Sequence, residues 1–207
     1  MCNISRKRRN FSDTQLYAKR SLLSKMDIRF RTYLAEILSH EGGKSNNKND
    51  AGGKTNYGIT QNTYNAFNKS KNRPQKDVFN ITMDEVVWIY HERYYTASGA
   101  DKLPDGLAFI HFDTAVNFGV GRAKEFLQQS KNDITKYHEL RQNHRKKRIA
   151  EKPSQAIFKN GWARRDNAVF AYAVQVSSGE LNKANNYAFS LFFNVNNKTY
   201  VYVPEWS

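Results

Sequence analysis

Two carboxylates nine residues apart, Glu41 and Asp50, are the side chains of this 207-residue sequence whose types and spacing best suit chemistry. Glu41 stands in His40-Glu41-Gly42-Gly43, at the end of a segment whose apolar residues Phe30, Tyr33, Leu34, Ile37 and Leu38 recur at helical spacing. Four residues beyond Ile37 and seven beyond Leu34, it falls on the face that such a helix turns to the core. It also sits at the negative end of the helix dipole, so burial and dipole together favour the neutral acid. A carboxylic acid still protonated near neutral pH is what glycoside hydrolysis requires to protonate a leaving oxygen.

Asp50 lies in Asn49-Asp50-Ala51-Gly52-Gly53, across a short loop or hairpin. From there a second carboxylate could hold or activate a water, as inverting glycosidases require. Gly42 and Gly43 let the backbone turn sharply and keep bulk away from an extended sugar chain. Thr55, Asn56 and Tyr57 follow with hydroxyl and amide groups for sugar or water. Each residue alone also has a structural reading: a Glu before Gly-Gly is commonly a capped helix end, and an Asp among Asn and Gly is commonly a turn residue. The combination points to a site.

The elements that must position these groups are mainly helical. Helices are expected over 27–40 and 60–68, and over a run to Tyr95 opened by the capping box Thr82-Met83-Asp84-Glu85. A buried helix over 107–117 should break at Gly119-Val120-Gly121, with further helices over 122–129, 133–150 and 163–176, Pro153 ending the second of these. Alternation from Tyr187 to Val203 around Asn196-Asn197 reads as a C-terminal β-hairpin. The fold class is therefore mainly α, a helical domain with a small β element and a terminal hairpin. Its expected organisation is a basic arm at 1–26, a main domain at 27–178 and an extension at 179–207.

Several residues inside the helices need an account. Asp113 and Asn117, four apart in apolar surroundings, each require a partner, either in a structural network or on a cleft floor. Trp88, Tyr90, Tyr94 and Tyr95 could stack on sugars, but at helical spacing they read as core. His111, among Phe109, Ile110 and Phe112, reads as a satisfied core histidine. His40 could bond Glu41, although neighbouring helix positions face apart. No His-Glu-x-x-His, phosphate loop or nucleophile elbow is present, so no metal and no cofactor is expected.

The formal charge of +14 and pI near 9.8 call for an anionic partner: nucleic acid, an acidic membrane surface, or the carboxylates and teichoic polymers of a bacterial wall. The clusters Arg6 to Arg9 and Arg145 to Arg148 could contact nucleic acid, but no nucleic-acid motif accompanies them. One cysteine, Cys2, excludes an internal disulfide. No apolar stretch approaches the roughly 20 residues of a membrane span. The basic start, Met1 to Asn10, is not followed by the apolar segment of a secretory signal, so delivery to a wall would need another agent, such as a phage particle or a holin-type pore.

Residues Leu38 to Tyr64 resemble the signature of the glycoside hydrolase family 108 N-acetylmuramidases of phages and bacteria. The matching residues are His40-Glu41-Gly42-Gly43, Asp50-Ala51-Gly52-Gly53 and Thr55-Asn56-Tyr57-Gly58-Ile59-Thr60-Gln61. Further matches follow in order: Phe112 to Gly119, Arg122-Ala123, Leu127-Gln128, Phe158, Gly161-Trp162 and Arg165. The resemblance implies a lysozyme-like helical fold that hydrolyses the β-1,4 bond after N-acetylmuramic acid in peptidoglycan, with Glu41 as the acid. It further implies a catalytic part at 27–100 and a part at 101–178 similar to a peptidoglycan-binding segment. Asp50 and Thr55 correspond to the water-positioning pair of T-even phage lysozymes, with Thr55 one residue short of that register. Substrate contacts are expected from Gly42, Gly43, Asn56, Tyr57 and Gln61, with Asp113 and Asn117 beneath. Lys44 stands where Tyr is usual in the family, and Ala51 where Pro is usual.

The implied setting is a phage virion or the host cytoplasm before lysis. The partners would be bacterial peptidoglycan and, through the arm and hairpin, tail or other virion proteins. The competing expectation is a wall-binding or structural particle protein that keeps the fold without turnover.

Overall fold

The computed structural model describes residues 28–41 and 53–179, together with the strand residues 194–195 and 198–199. Gly42, Gly43, Asp50, the arm at 1–26 and most of the extension at 179–207 lie outside the described residues.

Helix α1 (Ile28–Ser39) buries Phe30, Tyr33, Leu34 and Ile37, the stripe expected from their spacing. Strands β1 (Thr55–Asn56) and β2 (Ile59–Thr60) pair antiparallel, Thr55 with Thr60 and Asn56 with Ile59. Tyr57 and Gly58 form the two-residue turn between them, both at positive φ (51° and 71°), as the favoured hairpin turns demand. Thr60 then caps α2 (Gln61–Ser70) by accepting the Thr63 N–H.

The capping box forms as expected at the start of α3 (Met83–Tyr90): Thr82 accepts the Glu85 N–H, and Glu85 accepts the Thr82 N–H. Beyond Tyr90 the expected α-helix widens into a π-helical turn, His91–Thr96. This brings Tyr95 beside Phe30 and Phe112, with ring centroids 5.1 Å away from each.

Helix α4 (Asp105–Phe118) is the centre of the molecule, with every residue from Gly106 to Ala115 buried. Around it pack α5 (Val120–Ser130), α6 (Ile134–Glu151) and α7 (Lys159–Ser177). Gly106 lets α4 and α7 approach backbone to backbone: a Cβ there would lie 2.1 Å from the Ala173 carbonyl oxygen. Helix α7 starts before the expected Ala163, because the 3-10 turn Pro153–Phe158 leads straight into it and Gly161 is absorbed within its first turn. Strands β3 (Asn194–Val195) and β4 (Lys198–Thr199) pair antiparallel about the expected centre. The mainly helical class with small β elements holds.

Candidate active site

Glu41 follows the last turn of α1, its N–H bonded to the Leu38 carbonyl at 3.2 Å. One carboxylate oxygen, Oε1, lies 2.9 Å from Arg165 Nη1 on α7. The other, Oε2, lies against the β1–β2 turn, where a Cβ at Gly58 would come within 2.9 Å of it. The same Cβ would lie 2.7 Å from the Tyr90 hydroxyl, which donates to the Tyr57 carbonyl at 2.8 Å. Gly58 thus meets two demands at once: a left-handed turn, and room for the carboxylate and the phenol. Burial, with the Glu41 charge adding to it, holds the Tyr90 phenol well above the ordinary tyrosine range, so it serves as a neutral donor. The Glu41 side chain keeps 19% of its surface exposed, enough for a substrate to reach it.

Arg165 is held from behind. Its Nη2 donates to Asp113 Oδ1 at 2.8 Å, and Asp113 Oδ2 lies 2.7 Å from Arg141 Nη2. Arg141 also bonds Asp166 Oδ1 at 2.8 Å and the Thr114 hydroxyl at 2.8 Å, and Arg145 Nε reaches Asp166 Oδ2 at 3.4 Å. Arg141, Asp113 and Asp166 are essentially sealed from solvent. Charges taken this deep into a protein require such pairing. Burial works against the charged form of Asp113, but Arg141 and Arg165 outweigh it and hold the carboxyl below the usual range. Burial likewise disfavours charged Arg141 and Arg165, and their carboxylates outweigh it. The result is a charge ladder from the core to Glu41, each rung fixing the next.

The expected site residues take different places along this arrangement. Glu41 is at the surface end of the ladder. The charged neighbour the structure supplies to it is Arg165. Asp113, expected either in a structural network or on a cleft floor, is fully buried and holds Arg165. Asn117 donates to the Asp113 carbonyl at 3.2 Å and belongs to the same support.

Asn56 is buried, its amide 3.4 Å from the Val78 carbonyl. Gln61 spends its side chain on the protein: its amide nitrogen donates to Asn65 Oδ1 and the Lys76 carbonyl, both at 2.8 Å, while Oε1 accepts the Val78 N–H. It latches the 71–78 loop instead of facing a ligand. Thr55 is half-buried and donates to the Gly53 carbonyl at 3.3 Å, whereas Tyr57 is exposed at the hairpin tip.

His40 pairs with Glu36 at 3.2 Å, one turn back and away from Glu41. His111 is buried between the Tyr137 hydroxyl and the Ser98 carbonyl, as a core histidine should be. Tyr90 and Tyr95 are core, while Trp88 lies partly open under Lys71 and Arg73. Sequence reasoning gave Arg165 no role. The signal for it was the buried Asp113, whose need for a partner was legible although the partner was not.

Residues 34–119 match the family model described as Glycosyl hydrolase 108, a segment that contains Glu41, the β1–β2 hairpin and Asp113. Over the matched segment the chain is similar to the glycosyl hydrolase 108 family. Among solved structures, the chain is similar to that of Brucella abortus SagA, with a TM-score of 0.60 and 24% identity over 72% of this chain and 95% of that one. That likeness is one of fold. No curated protein matches the sequence.

Proposed function

We propose that this protein is a peptidoglycan hydrolase, an N-acetylmuramidase that cleaves the β-1,4 bond between N-acetylmuramic acid and N-acetylglucosamine with Glu41 as general acid. The observation that carries this reading is Glu41 itself: a partly exposed carboxyl within the matched family segment, oriented by Arg165 through Oε1 and set against Gly58 through Oε2. With Oε1 occupied by the guanidinium, Oε2 is the oxygen assigned to the proton that passes to the glycosidic oxygen as the C–O bond breaks. Water adds to the opposite face of the sugar, and Asp50 takes its proton, with Thr55 assigned to hold that water. The setting proposed is a phage particle or the host cytoplasm before lysis, with virion proteins engaging the arm and the hairpin.

The test is Glu41→Gln assayed on purified peptidoglycan, with mass analysis of the fragments the parent releases. Loss of solubilisation in the variant, with reducing muramic ends from the parent, is the expected result. Equal solubilisation by both would end the assignment of the acid. Binding without turnover by both would identify a silent wall-binding protein of the same fold. Anhydro-muramic ends would replace hydrolysis by transglycosylation and remove the role given to Asp50.

A further inference from the structure

The end of α6, the turn Pro153–Phe158 and the first turns of α7 form a surface unlike the others among the described residues. Between residues 145 and 165 the chain carries Arg145, Lys146, Lys147, Arg148, Lys152, Lys159, Arg164 and Arg165 against a single carboxylate, Glu151. Lys146, Lys152, Lys159 and Arg164 are exposed, and none is paired with a carboxylate among the described residues. In the middle of this positive field stand two exposed apolar side chains, Ile157 at 80% and Phe158 at 49% exposure. Such groups at the tip of a turn, ringed by cations, are not what a merely soluble face displays.

We propose that this face docks on an anionic lipid bilayer, with Ile157 and Phe158 entering the interface and the lysines and arginines meeting the headgroups. Charge complementarity requires an anionic partner, and the apolar pair selects a lipid one. A sugar chain would want an open aromatic platform, but the Trp162 ring is already engaged by Phe158 (centroids 5.8 Å apart) and by the guanidinium groups of Arg145 (4.8 Å) and Arg148 (5.7 Å). An aliphatic Ile157 offers a sugar or a soluble polyanion little, whereas insertion of apolar side chains flanked by Lys and Arg is the usual means of peripheral membrane attachment. The attachment is to the surface, since no described helix is long and apolar enough to cross a membrane. Arg165 lies three residues beyond Trp162 on α7, so docking would hold the Glu41 site close to the bilayer plane. This proposal is independent of the activity assigned to that site.

The test is co-sedimentation of the full chain with vesicles of phosphatidylcholine alone and of phosphatidylcholine mixed with phosphatidylglycerol, at two salt concentrations. Partition into the mixed vesicles, weakened by salt and reduced at least about tenfold in the double variant Ile157→Ser, Phe158→Ser, is the expected outcome. Ile157 is largely exposed and Phe158 half-exposed against Trp162, so the double variant should keep a cooperative melting transition while it loses the partition. No partition into the anionic vesicles would overturn the proposal. So would vesicle binding indifferent to the double variant and matched by binding to a soluble polyanion such as heparin, which would make the face a general polyanion site.

Discussion

Replacing Gly58 by alanine tests the site where it is tightest. Two effects act there, and Gly99 separates them. Both glycines have positive φ, 71° and 89°, so alanine at either adopts a left-handed conformation at a cost of about 1 kcal/mol. At Gly99 a Cβ meets nothing within 4 Å, and the cost ends there. At Gly58 it meets the Tyr90 hydroxyl at 2.7 Å and Glu41 Oε2 at 2.9 Å, so both must move. The Tyr90 ring is buried in the core and cannot swing away freely. Losing its bond to the Tyr57 carbonyl adds about 1 kcal/mol, and forcing a side chain off its rotamer adds about 1 kcal/mol more. Gly58→Ala should therefore lose about 3 kcal/mol of stability and Gly99→Ala about 1 kcal/mol, by urea or thermal unfolding. Displacing Glu41 should also lower turnover on purified peptidoglycan by roughly ten- to a hundredfold, while Gly99→Ala keeps it. If Gly58→Ala unfolds like Gly99→Ala and remains fully active, the close approach of Gly58 to Glu41 is not what shapes the site.

The charge ladder and the buried histidines give two further expectations. Arg141→Met removes the cation that Asp113 and Asp166 share in the core, leaving them Arg165 and Arg145 alone, and should destabilise the fold by about 3 kcal/mol in chemical denaturation. Arg165→Gln, at the surface end, should instead keep most of the stability and lose activity, as paired unfolding and turnover measurements would reveal. Burial depresses His111, His138 and His144, so the unfolded chain takes up their protons first. Their contribution is complete above the unfolded value of about 6.5 and is lost as pH falls below it towards the folded values. Asp113, depressed by its arginines against burial, adds a second loss at pH values below about 3.9. Melting temperatures across pH should stay level near neutrality and fall on the acid side, with a shallower fall in His111→Gln; a flat profile would contradict both assignments.

The local parts of this fold were legible in the sequence because their causes are local. The apolar spacing from Phe30 to Leu38 placed Glu41 at a helix end, Thr82 and Glu85 announced their capping box, and Thr60 marked the start of α2. The π-helical turn was not legible, since its aromatic residues fit an α-helical pattern equally well and the packing of Tyr95 on Phe30 and Phe112 is tertiary. Gln61 shows the same limit: next to the Glu41 motif it looked free to bind sugar, but the returning loop at Lys76 and Val78 takes all of its polar atoms. The ladder was half legible. A carboxylate at Asp113 in an apolar helix had to be neutralised, but a cation from α7 meets it only after the helices pack.

Arg165 also fixes when in the life of the chain the site can exist. Glu41 closes the first described helix and its guanidinium partner comes from the last, beyond the segment that the family model matches. A growing polypeptide that has released α1 through α6 holds the carboxyl without its clamp. Synthesis must pass residue 165 before the geometry is complete, so fragments that stop short of α7 should be inert however well their earlier helices form.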